Sequence, residues 1–152
     1  MRARPRRAGF TLVELLVALA LVGMMLALVP PSLGRLRDSI NYRDTVRAVI
    51  TDLRAARQIA LVEGRETRFL VDTAQHRFGL EGKPLQALPE PLQMRATVAT
   101  IEWTPERQAA IRFLPQGGAT GGSVDVLRPS GDGVRITVDW LSAAVSQTPL
   151  VP

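Results

Sequence analysis

The chain has 152 residues, 46% hydrophobic and 22% charged, a length and balance that suit one domain with a buried core and exclude a disordered tail. With no cysteine and one histidine, His76, the composition excludes disulfides, thiolate metal sites and cysteine nucleophiles, and it disfavours a histidine metal cluster or a Ser/His/Asp triad. The net charge of +5 sits at one end, because Arg2, Arg4, Arg6 and Arg7 supply four of the 19 basic residues; the remainder is close to neutral and makes no general case for nucleic-acid binding.

After these arginines, Phe10 to Val29 carries a single charged side chain, Glu14, and reads as a membrane span. Continued to Leu33 the run has 24 residues, about 36 Å of helix against a hydrocarbon core of roughly 30 Å. The arginines hold the start on the cytoplasmic side, which places everything after Leu33 outside the cytoplasm. A secretory signal would need a small-residue cleavage site after its apolar run. The spacing of Ser32 and Gly34 is a poor candidate, because the run before it is too long. A plain anchor leaves Glu14 unexplained, since a carboxylate at mid-bilayer costs roughly 2.5–3.5 kcal/mol, less near an end.

From Arg35 to Glu63 the apolar residues Leu36, Ile40, Val46, Val49, Ile50, Leu53, Ala56 and Ala60 recur at helical spacing, with Gly64 as the stop. Arg37, Asp44, Arg47, Arg54 and Arg57 fill the other positions and read as a solvated face. Pro30, Pro31 and Gly34 interrupt the ladder between the two helical stretches, so a kink or melted turn is expected there. Beyond Gly64 the period becomes two. Thr67–Asp72 and Arg77–Glu81 form a first strand pair, Gly82–Leu92 is an irregular connection with three prolines, and Met94–Trp103 is a strand or a pair of strands. Ile111–Leu114, Ser123–Leu127 and Val134–Trp140 follow, the last with Val134, Ile136, Val138 and Trp140 on its core face. A turn at Pro129–Gly133 joins the last two, and no internal repeat is visible.

Few residues offer chemistry. The run Gly117–Gly122 lacks the Lys-Ser/Thr of a phosphate loop and lies between strands, so it reads as a flexible glycine loop. Glu102 with Glu106, and Glu63 with Glu66, are acid pairs with no nucleophile or oxyanion site beside them, and they read as surface carboxylates. Trp103 and Trp140 read as core or interface anchors, and His76 as a solvated turn residue. Asp132 and Asp139 lack the oxygen-ligand company that calcium needs.

The sequence Gly9-Phe10-Thr11-Leu12-Val13-Glu14, directly after a basic leader, resembles the class III signal of type IV pilins and type II secretion pseudopilins. The resemblance implies cleavage by a prepilin peptidase between Gly9 and Phe10, and methylation of the new Phe10 amino terminus. Glu14 would then lie about 6 Å along the helix from that amino group. In a filament of staggered helices it can meet the amine of a neighbouring subunit, so that each charge has a partner. Further on, Ala55-Ala56-Arg57-Gln58-Ile59-Ala60, the run Ile111–Gly122 and Val138-Asp139-Trp140-Leu141 resemble the H-type minor pseudopilin domain, with Gln116 and Ser142-Ala143 departing from its usual residues.

What the resemblance implies is a non-enzymatic structural subunit without cofactor or metal. The expected fold is α+β, a pilin-like ladle whose long N-terminal helix, membrane-spanning in its first half, packs on a small antiparallel β-sheet or sandwich domain. The expected divisions are a cleaved leader at 1–9, a transmembrane helix at 10–34, its amphipathic continuation at 35–64 and an extracytoplasmic β domain at 65–152. The subunit would cross the inner membrane once, with its C-terminal domain in the periplasm, and join the periplasmic pseudopilus near the tip. Its partners would be the major pseudopilin and minor tip subunits, the prepilin peptidase, the inner-membrane assembly platform and membrane lipid. The rival is a type IV pilus minor pilin of the FimT/FimU kind, some of which bind DNA through a basic tail. Here Ile136 to Pro152 contains no Lys or Arg, so no nucleic-acid partner is expected.

Overall fold

The computed structural model describes residues 11–27, 32–98 and 108–151. The chain divides into two compact units, with the boundary between Leu36 and Arg37. In the first, α1 (Leu12–Ala27) is apolar on every side and is capped by Thr11. A second helix, α2 (Ser32–Glu63), runs across the boundary and supplies the second unit with one wall of its core. Gly34 falls in the first turn of α2 and does not interrupt it. The first four N–H groups of a helix have no intrahelical partner in any case, so a glycine costs least there. Pro30 and Pro31, where the break was expected, lie outside the described residues.

The helical spacing read from the sequence is the spacing that packs. Val49, Leu53, Ala56 and Ala60 are fully buried, and Val46 and Ile50 are half-buried beside them, whereas Ile40 is exposed. Each fully buried Val or Leu contributes about 1.5–3 kcal/mol over its exposed state. Gly64, at φ +62°, takes the left-handed conformation that ends a helix without a Cβ penalty.

Eight strands follow: β1 (Thr67–Asp72), β2 (Arg77–Leu80), β3 (Gln86–Ala87), β4 (Gln93–Thr97), β5 (Ala109–Phe113), β6 (Gly122–Leu127), β7 (Gly133–Val138) and β8 (Val145–Leu150). They form two antiparallel four-stranded sheets, in the orders β3-β2-β1-β5 and β4-β6-β7-β8. One apolar cluster joins α2 to both, with Phe69, Phe78 and Phe113 from the first sheet and Val124, Val126 and Ile136 from the second. The fold is therefore α+β, with the helix and two sheets around a single core.

Three strand expectations change. The connection expected to be irregular from Gly82 to Leu92 contains β3, which pairs Gln86 with Phe78 and Ala87 with Arg77. The strand expected over Met94–Trp103 is seen as β4, and Trp103 lies outside the described residues. Finally, β7 ends at Val138, because Asp139 turns the chain: its Oδ1 accepts from the Ser142 N–H (2.8 Å), the Leu141 N–H (3.2 Å) and the Ser142 hydroxyl (2.7 Å). Trp140 therefore leaves the core face and is 66% exposed.

Candidate functional site

The first turn of α1 is built around Thr11 and Glu14. Thr11 Oγ1 accepts from the Glu14 N–H (3.2 Å), while the Thr11 carbonyl accepts from the Leu15 N–H (3.2 Å). Thr11 is thus the N-cap and Glu14 the third helical residue, the Thr-x-x-Glu spacing of a capping box. The cap was readable in that spacing, but the family motif absorbed the same residues. It places the Glu14 carboxylate at the positive end of the helix dipole, where a negative charge is stabilised. Among the described residues that carboxylate has neither a hydrogen bond nor an ion pair.

Behind it stands a helix whose described side chains are all exposed. Leu12, Val13, Leu16, Leu19, Met24 and Met25 are all more than half exposed, and they occur on every side of α1. A helix apolar all round belongs in a protein core or a membrane. Among the described residues no helix is long and apolar enough to cross a membrane; the 16 residues of α1 span about 24 Å. The ends of the apolar run, with Gly9, Phe10, Pro30 and Pro31, lie outside the described residues.

At the other end of the chain, the glycine run between β5 and β6 is tied down. The Thr120 N–H donates to the Arg112 carbonyl (2.9 Å), and the Ala119 N–H donates to the Trp140 carbonyl (2.8 Å). Gly118, at φ +81°, lies so close to the β7–β8 turn that a Cβ there would be 3.1 Å from the Trp140 carbonyl oxygen. These glycines let two turns touch, and N–H groups that could have cradled a phosphate are taken up by carbonyls. Beside them a depression of about 580 Å³ is lined by Val98, Gly121, Gly122 and Trp140.

The ionisable groups stabilise turns and sheet pairs. Asp72, buried at the end of β1, accepts at Oδ1 from the N–H groups of Gln75 (2.8 Å) and Ala74 (3.0 Å), and at Oδ2 from Gln108 Nε2 (3.1 Å). The Gln75 bond above all holds its carboxyl below the usual carboxylate range, against the opposing effect of burial. Asp139 is lowered in the same way, chiefly by the Ser142 N–H. Arg135 meets Asp125 across β6 and β7 with Nε on Oδ1 (2.8 Å) and Nη2 on Oδ2 (2.7 Å), a bidentate pair. Glu63 pairs with Arg65 (2.6 Å) and Glu66 with Arg112 (3.2 Å), so this acid pair is divided between two arginines. Glu102 and Glu106 lie outside the described residues. His76 is an exposed turn residue, as expected. No group of described residues could hold a metal ion.

Comparison with known proteins gives both ends of the chain a counterpart. A family described as the prokaryotic N-terminal methylation motif matches residues 4–30, and the family described as type II transport protein GspH matches residues 45–142. The type II secretion system protein H of Xanthomonas campestris pv. campestris is 31% identical over 147 residues, which is 97% of this chain and 86% of that protein. The structure of the minor pseudopilin EpsH from the type 2 secretion system of Vibrio cholerae is similar in fold, with a TM-score of 0.54 at 15% identity, over 74% of this chain and 98% of that one.

Proposed function

The chain belongs to the GspH family of type II secretion minor pseudopilins, and we propose that it acts as a non-enzymatic, membrane-anchored structural subunit near the tip of the pseudopilus. It assembles with other pseudopilins of the type II secretion system in the periplasmic pseudopilus. Secretion, not a type IV pilus, is the system named by the family and by both relatives.

The observation that carries the mechanism is α1, a helix apolar on every side whose first turn carries one carboxylate with no partner among the described residues. In our reading, prepilin peptidase removes residues 1–9 and methylates Phe10. Residues 10–34 then hold the subunit in the inner membrane once, with the C-terminal domain in the periplasm, and Pro30 and Pro31 break the helix before its amphipathic continuation at 35–64. Residues 65–152 form the β domain. Glu14 pairs with the α-amino group of a neighbouring subunit as the assembly platform draws the protein out of the lipid. Inside the filament this converts two costly isolated charges into one pair. No nucleic acid takes part: the net charge after Leu33 is small and the last strands carry no Lys or Arg after Arg135.

Mass analysis of the protein recovered from cells with active prepilin peptidase tests this. Loss of Met1 to Gly9 and one added methyl on Phe10 are expected, and an intact leader defeats the proposal. Weak DNA binding by the full chain at physiological salt is expected alongside it. Submicromolar, salt-sensitive affinity for duplex DNA would revive the uptake-pilin reading.

A further inference from the structure

Four arginines of α2, at positions 43, 47, 54 and 57, are exposed and have no ion-pair partner among the described residues. At 100° per residue they fall within about 80° of the helix circumference and extend over about 21 Å. The carboxylates of the same helix do not neutralise them. Asp44 has no ion pair among the described residues, and Asp52 faces the first sheet, where Gln86 Nε2 donates to it (3.1 Å).

Beside this stripe runs β8, the outer strand of its sheet. A depression of about 400 Å³ lies between Arg43, Arg47, Arg54 and Gln147, and a second of about 380 Å³ between Arg54, Arg57 and Val145. The strand thus follows the stripe in the opposite direction to the helix. It brings no charge of its own, since residues 140–152 contain neither acid nor base.

The hydrogen-bond phase of β8 identifies which of its backbone groups are open. The Asp139 N–H donates to the Ala144 carbonyl (3.0 Å), and Thr137 faces Ser146 two residues on in the same register. In an antiparallel ladder alternate residues exchange bonds with one neighbour, so Ser146, Thr148 and Leu150 face β7. The N–H and carbonyl groups of Val145 and Gln147, and the carbonyl of Pro149, therefore point away from the sheet. Pro149, which has no N–H, sits where none is required.

We propose that the groove between this arginine stripe and the open edge of β8 docks an extended, acidic polypeptide segment of another protein, which adds to the sheet as a further strand. The spacings agree. Arg43 to Arg47 rises about 6 Å and Arg43 to Arg57 about 21 Å, against about 6.8 Å and 20.4 Å for one and three repeats of alternate side chains in an extended strand, so carboxylates at every second residue match the two ends of the stripe, and the long Arg54 side chain reaches the carboxylate between them. Backbone bonds to Val145 and Gln147 supply affinity, and the arginines supply the choice of acidic sequence. A membrane surface or a nucleic-acid backbone would use the arginines without the strand edge.

The test uses the full chain in neutral detergent and a capped peptide of four Thr-Glu repeats. Binding is expected to weaken as salt rises, with the Val145 and Gln147 amides gaining protection from hydrogen exchange while Ser146 and Thr148 are already protected. Replacing both Arg47→Ala and Arg54→Ala should weaken binding about tenfold. Gln147→Pro, which removes an outward N–H and leaves the β7 ladder intact, should weaken it about fivefold. The proposal is overturned by absence of binding at about 1 mM peptide, by equal binding of a Thr-Lys peptide, or by binding without new protection at Val145 and Gln147. Tighter, arginine-dependent binding of duplex DNA or anionic vesicles overturns it too, assigning the groove to phosphates.

Discussion

The helix α1 and the buried face of α2 are both rich in apolar residues, and they use them in opposite ways. In α2, Val49, Leu53, Ala56 and Ala60 sit on one face and disappear into the chain's own core. In α1 the apolar residues surround the helix and are exposed. The first pattern reports what this fold needs; the second leaves apolar surface of the kind found in membranes and protein interfaces. Family membership is consistent with that division, since the GspH match begins at residue 45 and the methylation motif ends at residue 30.

Glu14→Val should break the comparison most visibly. In a strain lacking the native protein, this variant is expected to give no secretion above background and no crosslinks to other pseudopilins. It should still be processed and remain in the membrane, because removing a charge favours insertion. Normal secretion by the variant would reduce Glu14 to an interfacial residue. Next in size, Leu53→Ala should lower the unfolding free energy of the β-containing unit by about 2–5 kcal/mol. Leu19→Ala, at an exposed position of α1, should leave it unchanged within about 0.5 kcal/mol. Urea denaturation of the full chain in detergent, followed by circular dichroism, separates the two; equal losses would erase the contrast.

Asp72→Ala sharpens the picture within the second unit. It removes the acceptor of two backbone N–H groups and one hydrogen bond from Gln108, a loss of about 1–3 kcal/mol at pH 7. Because the folded carboxyl titrates below its unfolded value of about 3.9, its stabilisation is complete above that value and vanishes as pH falls through the folded one. The charge-dependent part of the gap between wild type and variant should therefore close as pH falls below about 4. A gap that widened on acidification would contradict the lowered pKa. The smallest effect is expected from Arg128→Ala. The guanidinium of Arg128 lies 3.8 Å from the Tyr42 ring centre, and its loss should cost about 0.5–1 kcal/mol in the same denaturation measurement.

Reading the sequence succeeds where one residue type decides the outcome. The α2 face was legible because apolar residues at spacings of three and four have only one place to go, and Gly64 because only glycine readily takes φ +62°. Thr45 was missed because it is polar yet buried. The strand β8 was missed for the opposite reason: its middle residues Ser146, Gln147 and Thr148 are polar and exposed and Pro149 follows them, and its pairing to β7 holds it in the sheet. Trp140 was assigned to the core by extending an alternation past Asp139, whose turn could not be seen in the period-two pattern. For the site, Glu14 stood out as a lone charge in an apolar run. The arginines of α2 read as a solvated face, because no pattern in the helix reveals that an open strand edge lies alongside.

Tyr42 is the single tyrosine of the chain and the side chain that α2 places beneath Arg128 of the β6–β7 turn. Burial raises its phenol above the ordinary value, with the Arg128 charge opposing that rise and Asp132 adding to it. The protein thus carries its own optical gauge. Phenolate absorbance near the ordinary pKa reports molecules in which helix and turn have parted, and its appearance only at higher pH reports those in which they remain together. One ultraviolet titration, with no added label, therefore reads the attachment of α2 to the second sheet in the same sample that is assayed for assembly.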